Sequence, residues 1–597
     1  MTIHQPRIGR ARMVGRFVWH YVEMVLAMSL GMLLLGLLWG AVLPEVTRLD
    51  VSTLIMAADM CAGMAVWMRV RRHGWPAIAE MSLAMVAPFL VLLVPYWFGV
   101  LPGHLVTSIG HVLMFVFMAL AMLRRRAEYT HHPVGIRPAW VRRAAVVLVA
   151  LSVPATVSAV NTVGKFRDQY TTRSDAVSVQ PVSKAGGHDP AKPTVALLVS
   201  ESGANVADLL GPYEVLAGTG RFNTYVVSAA TRLAPLTGGL DLVPDLTFDE
   251  LARLLGDRRD SLDAVVIPAL QPSEPAERDS INVWLRRQSA AGALTVSVCA
   301  GARTLADSGL LDGRPATSHW LRLSGLREDF GKVNWVAGQR YVDDGNVITA
   351  AGVLSGIDGG LRIIERLIDE NTAREAARRV HWRHYTPGGS AQIPVSGLEP
   401  SDVVAVLNAS YQPGPTTIGV QVTEGVGELE LASAFISYTE QSTIGRTVAL
   451  GDGPVRSRHG LTFVPRSTVA AAAGDLDRLL VPGVDAARRH AGVGAGGLQP
   501  EYLHLDQEFA FDPVLRDIAR TYDVQTARFA AKTLEYPILD VKLTGDAWPW
   551  LATIIPLLLA LLGAGAAIAS GMVFRRLRAR SREPEPSRGT GKKPAMI

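Results

Sequence analysis

The stretch SVCAGARTLADSGLL, residues 297–311, decides the fold. Apolar and β-branched residues at 294–298 read as a strand that stops at Cys299, and a helical pattern begins at Gly301. A strand that turns sharply into a helix lifts the residue at the turn clear of the sheet and sets it at a helix N-terminus. The helix dipole favours an anion there, so the expectation is a thiol of lowered pKa, suited to covalent attack or to oxidation sensing.

Outward from this elbow, strand-like runs at 194–200, 223–228, 263–267 and 294–298 alternate with helical patterns at 207–217, 248–255, 277–290 and 301–310. Such alternation predicts a doubly wound, flavodoxin-like parallel sheet covered by helices on both faces. A hairpin is expected at Asp344-Gly345, and a last helix over 353–369 closes a domain spanning 194–383. The polar segment 166–193 and the Pro/Gly-rich segment 384–415 read as linkers.

Beyond the second linker the sequence repeats itself. TVALLVSESG from Thr194 resembles TIGVQVTEGV from Thr417, GLDLVPD from Gly239 resembles GLTFVPR from Gly460, and LDAVVIP from Leu262 resembles LDRLLVP from Leu476. Residues 416–535 are therefore read as a diverged second copy without cysteine, expected to pack on the first as an intramolecular pseudo-dimer.

The flanks have a different character. The chain has 597 residues, 49% apolar and 19% charged, and its apolar excess is concentrated in residues 1–165 and near the C-terminus. Spanning a bilayer takes roughly 20 apolar residues. Five segments of the N-terminal region (24–43, 51–68, 81–101, 105–123 and 144–163) and a sixth at 549–573 approach that length. Arginines at 7/10/12/16, 69/71/72, 124–126, 142/143 and 575/576/578/580 fall in tails and loops that alternate with loops almost free of positive charge. By the positive-inside tendency, this predicts a multi-pass protein of the inner (cytoplasmic) membrane. Both termini, with the basic tail 574–597, are then cytoplasmic and the α/β region is extracytoplasmic, or periplasmic. The net charge of +5 belongs to this topology signal and gives no reason to expect nucleic acid. With only Cys61 and Cys299, no disulfide framework is available. Methionines at 24/28/32, 56/60/64/68, 81/85 and 114/118/122 form helical stripes, open to a packing reading or to metal handling. Asp59 inside the second segment is an expensive group and a candidate for function.

Three motifs, DLLGPYEVL (208–216), SVCAGARTLADSGLLDGRPATSHW (297–320) and YVDDGNVITAAGVLSGIDGGL (341–361), resemble the DJ-1/PfpI superfamily, a glutamine amidotransferase-like fold. Within it they most resemble the branch of isonitrile hydratases and the amidase-like sensor domains of AraC-type regulators. The resemblance implies that Cys299 is the elbow nucleophile, Asp208 the carboxyl that hydrogen-bonds its sulfur, and His319 an auxiliary acid/base. The amides of Ala300 and Gly301 would stabilise an oxyanion or bind ligand. Where peptidase-like members carry His after the Cys, and the hydratases Thr, this chain has Ala300, so peptidase activity is not expected. No cofactor and no metal at the elbow are implied. The expected function is small-molecule chemistry of hydrolase, hydratase or amidase type, or redox sensing, on an unidentified small molecule. A non-catalytic sensor module coupled to the membrane is the alternative, and a transporter or metal-handling protein with an accessory soluble domain the third.

Overall fold

The computed structural model describes residues 20–21, 23–32, 35, 49–71, 73–97, 103–124, 138–166, 169–171, 187–230, 233–256, 262–387, 391–538 and 541–580. The chain divides into two compact units, 1–147 and 148–597. The far part of the expected 24–43 segment, most of the 166–193 linker and the tail beyond residue 580 lie outside the described residues.

The first unit is helical. Residues 23–32, Leu49–Val70, Trp75–Trp97 and Gly103–Arg124 form helices whose inner faces meet in one buried cluster. Among the described residues, three helices are long and apolar enough to cross a membrane, over Thr53–Val70, Trp75–Leu92 and Trp550–Ser570. Ile109–Arg124 is a shorter apolar stretch, and the 144–163 segment lies within the Pro138–Phe166 helix.

The second unit carries the α/β region. Its strands are β1 (Thr194–Leu198), β2 (Asn223–Ser228), β3 (Ala234–Leu236), β4 (Leu240–Val243), β5 (Leu246–Thr247), β6 (Ala264–Ile267), β7 (Leu294–Val298), β8 (Pro315–Ala316), β9 (Asn334–Trp335), β10 (Tyr341–Asp344) and β11 (Val347–Ala350). Seven of them form a sheet of order β10-β11-β7-β6-β1-β2-β5, parallel except for β10, which returns through the expected turn at Gly345. The central strands are buried on both faces, which accounts for their continuous apolar runs.

A second, four-stranded parallel sheet follows, built from β12 (Thr417–Gln421), β13 (Arg446–Leu450), β16 (Arg478–Val481) and β17 (Pro500–Tyr502) in the order β13-β12-β16-β17. Between the two sheets, the hairpin β14 (Val455–Arg456) with β15 (Thr462–Val464) meets the hairpin β3–β4, giving the order β14-β15-β4-β3. The pairing of β15 with β4 is antiparallel, with Phe463 opposite Leu242. Arg466 grips Asp241 through two bonds of 2.7 and 3.1 Å at the end of this seam. The helices Val206–Ala217 and Glu428–Ile436 pack beside it, and Leu429 N–H donates to Glu214 at 2.6 Å.

The segment read as a linker at 384–415 is partly structured. It contains a helix, Val404–Tyr411, whose Ser410 meets Ser158 at 2.7 Å and whose Tyr411 hydroxyl donates to the Pro154 carbonyl at 3.0 Å. Pro/Gly flanks hid a short helix that is stable only against its neighbours.

Candidate active site

Cys299 directly follows β7 with φ of 56°, a left-handed conformation that costs a side-chain-bearing residue about 1–2 kcal/mol. The surroundings enforce it. Cys299 N–H donates to the Ala350 carbonyl at 3.1 Å, and the Cys299 carbonyl accepts from Ser318 Oγ at 2.7 Å. A Cβ on Gly301 would stand 2.1 Å from the Ile267 carbonyl oxygen, so the helix start can approach β6 only because that residue is glycine. The elbow expected from the sequence is present, and the helix after it runs Gly301–Asp307.

Asp208 is fully buried in the first turn of the Val206–Ala217 helix, which Asn205 caps by accepting from the Ala207 and Asp208 amides. Its Oδ2 accepts from Ala269 N–H at 3.0 Å. Oδ1 has no conventional partner, and the remaining close interaction of this carboxyl is with the Cys299 thiol. Burial holds the carboxyl well above the usual carboxylate range, with the Glu440 carboxyl adding to the effect. The site thus favours the protonated form of this carboxyl more than water does.

The expected lowered thiol pKa is not what the structure supports. Cys299 is 8% exposed; burial, followed by the charges of Asp208 and Glu440, pushes its thiol well above the ordinary value. The Ala300 amide opposes this and is outweighed. A short helix start cannot offset desolvation together with three nearby carboxyls.

His319 follows Ser318, whose hydroxyl bonds the Cys299 carbonyl, and its own ring is engaged elsewhere. Nδ1 accepts from Leu321 N–H at 3.3 Å and Nε2 lies 2.8 Å from the Thr533 carbonyl, which makes Nε2 the protonated nitrogen. Burial lowers its pKa to about 4. Neither nitrogen is left to serve the thiol, so in this geometry His319 ties the elbow to the Val524–Thr533 helix.

Three residues missed in the sequence reading complete the site. Glu440, in the turn after the Glu428–Ile436 helix, accepts from Asn205 Nδ2 at 3.1 Å and from the Tyr170 hydroxyl at 3.2 Å. Burial raises its pKa. Glu535, with φ of 53°, rests against the Gly352 and Trp320 amides, and burial raises it to about 7. Both carboxyls act electrostatically on Cys299. Tyr170, at the edge of the expected linker, also bonds Thr237 at 2.7 Å. No local motif marks these three positions. Tyr170 stands in the polar run KFRDQYTTR, Glu440 in TEQ and Glu535 in LEY, and none of these strings carries a site signal.

The smaller sheet holds an analogous pair of positions. Ile267 opposite Ser297 sets Cys299 two residues beyond the register, and Val481 opposite Tyr502 sets His504 at the same step. Glu430 occupies the turn of its helix that Asp208 occupies in the other and accepts from Val484 N–H at 2.9 Å. His504 lacks the left-handed backbone and is held by Gly483 N–H at 3.1 Å and the Ala510 carbonyl at 3.0 Å.

Residues 194–366 match the DJ-1/PfpI family. The chain is 32% identical over 170 residues to an isonitrile hydratase of Pseudomonas putida, covering 28% of this chain and 69% of that protein. It is 33% identical over 110 residues to the HTH-type transcriptional regulator GlxA of Rhizobium meliloti, covering 18% of this chain and about a third (32%) of the regulator. Among solved structures, a ThiJ/PfpI family protein from Pseudomonas syringae aligns over 37% of this chain and 90% of its own, at 26% identity and a TM-score of 0.27.

Proposed function

This chain belongs to the DJ-1/PfpI family, and from that premise we propose that Cys299 and Asp208 form an acid–nucleophile pair acting on a compact, uncharged electrophile, one whose carbon is multiply bonded to nitrogen or oxygen. The observation that carries this reading is a buried thiol beside a fully buried carboxyl, with burial pushing both groups towards their protonated forms. The sulfur bonds to the electrophilic carbon while the Asp208 proton passes to the substrate atom gaining negative charge. The thiol proton then moves to Asp208, so S–H is added across the multiple bond with no net charge left in the site. Water then adds to that carbon, the C–S bond breaks and the sulfur takes back a proton, so that the hydrated product leaves and Cys299 is regenerated. Anionic substrates are disfavoured by the three carboxyls, and the burial of Cys299 favours small ones. Redox sensing is the weaker function, because peroxide reacts with thiolate and this thiol is held protonated.

The test is turnover of small isonitriles, nitriles and aldehydes by the purified full chain, with Cys299→Ala and Asp208→Asn beside it. The expected result is turnover or a covalent adduct at Cys299, abolished by the first variant and reduced at least a hundredfold by the second. A ligand that binds Cys299→Ala as well as the natural chain, with no adduct, would replace this reading by the non-catalytic binding module, which the absence of a polar side chain at Ala300 also suits.

We further propose that residues 416–535 are a diverged copy of the first domain, joined to it as an internal pseudo-dimer. Support comes from the shared strand order and from the equivalent positions of Glu430 and Asp208. The expected membrane topology rests on the three apolar helices and the arginine pattern, and cysteine-scanning accessibility across the membrane tests it.

A further inference from the structure

The interior of the N-terminal helical unit is made almost entirely of methionine. Ten of the twelve methionines on its four helices are at most 4% exposed, and among the described residues they share their cluster with only two alanines, Ile78 and Phe89 as further buried apolar residues. The chain does not lack better-defined packing residues. Leu26, Val66, Leu83, Val91, Val112 and Leu120 lie on the same helices and are 56–67% exposed. Lipid accepts branched aliphatics as readily as a protein interior does, and helix interfaces in a bilayer are ordinarily built from small residues, with methionine an occasional gap-filler. Here flexible thioethers take the inner positions on every helix.

We propose that this interior binds a soft monovalent cation, cuprous copper or its analogue silver, through methionine thioethers. Neutral thioethers are the side chains that select Cu(I) over harder divalent ions. The spacing of four repeats a sulfur about every 6 Å along each helix, so Met60, Met64 and Met68 offer successive stations. Two observations independent of the methionines point to the first station. Gly31 and Gly63 bring their helices into backbone contact: a Cβ on Gly31 would stand 2.7 Å from Gly63 Cα, and one on Gly63 would stand 2.4 Å from the Ala27 carbonyl oxygen. Met28, Met60 and Met64 flank this crossing. Asp59, 5% exposed and one turn before Gly63 on the same face, is the one buried acidic side chain among the described residues of these helices, a costly placement in an apolar interior. The site is separate from Cys299 and does not depend on its reading.

The test uses the full chain in detergent with Cys61→Ser and Cys299→Ser, so that no thiol contributes. Cu(I) is titrated against a competing chelator, and Ag(I) shifts are followed on 13C-methyl methionine by NMR. The expected results are at least one Cu(I) per chain with a sulfur shell in X-ray absorption, and Ag(I) shifts confined to the buried methionines. Met28→Leu/Met60→Leu/Met64→Leu, which nearly conserves volume, is expected to weaken binding at least tenfold. No Cu(I) retained by the cysteine-free chain, or Ag(I) shifts only at exposed methionines, would overturn the proposal. So would unchanged affinity in a folded triple-leucine variant. If that variant does not fold, the NMR arm on the cysteine-free chain decides alone.

Discussion

Asn205 and Glu440, 235 positions apart, are joined by a 3.1 Å hydrogen bond in which the amide that caps the Asp208 helix donates to a carboxyl from beyond the second linker. The same asparagine accepts from the Asp208 amide at 3.1 Å. Two carboxyls that act on Cys299 are thus held through one side chain, and the second sheet's part of the chain contributes directly to the electrostatics of the first.

Neutralising these carboxyls should make Cys299 easier to ionise. Burial accounts for most of the upward shift, with Asp208 next and Glu440 after it. Iodoacetamide alkylation of the natural chain at pH 7 is expected to be at least tenfold slower than for a free thiol, which titrates near roughly 8.5. Asp208→Asn and Glu440→Gln should each shift the alkylation profile to lower pH, Asp208→Asn the more. An unchanged profile in both would remove them from the thiol's environment.

Stability should peak in mildly acidic solution. Glu535 has its pKa raised to about 7, so the folded chain keeps a proton that the unfolded chain has already lost; its contribution is complete at low pH and disappears as pH rises through 7. His319, lowered to about 4, works the opposite way: its contribution is complete above about 6.5 and is lost as pH falls towards 4. In melting curves from pH 4 to 9, Glu535→Gln should flatten the alkaline limb only and His319→Gln the acidic limb only.

The elbow should tolerate no Cβ at Gly301. The obstructing atom is the Ile267 carbonyl oxygen, a backbone atom that cannot swing aside. Gly301→Ala is expected to cost about 1–3 kcal/mol or more and to alter Cys299 reactivity. Gly309→Ala is the control: with φ of 78° and nothing within 4 Å, it should cost about 1 kcal/mol and leave the thiol unchanged. Urea unfolding and alkylation of both variants check this.

The seam between the sheets should be energetically coupled. Phe463 and Leu242 are both fully buried and directly opposite. Phe463→Ala is expected to lose about 3–5 kcal/mol and Leu242→Ala about 2–5 kcal/mol, with the double variant losing less than the sum. Strict additivity in a double-mutant cycle would argue that the two side chains do not support each other.

What could be read from the sequence was local. The apolar run into Cys299, the turn and the following helix lie within a dozen residues, and Asp208 sits in a capped helix start, so short-range patterns suffice. Glu440 and Glu535 were not legible, because TEQ and LEY look like ordinary surface strings; only folding carries them across more than a hundred positions to the thiol. His319 follows Ser318, whose hydroxyl bonds the Cys299 carbonyl, but its ring engages the Thr533 carbonyl, a backbone group that no side-chain pattern reveals. The thiol's upward shift was missed for the same reason: the dipole is a local feature, while the carboxyls that outweigh it arrive from a distance.

The strand pair β4–β15 joins two stretches of a single polypeptide, so a change on one side of it is not automatically copied on the other. Two identical subunits sharing such a seam must accept every substitution twice, once at each elbow. Here Cys299 holds a left-handed turn while His504, at the matching step of the smaller sheet, does not, and the part of the chain without a thiol sets the acids Glu440 and Glu535 against the part that has one.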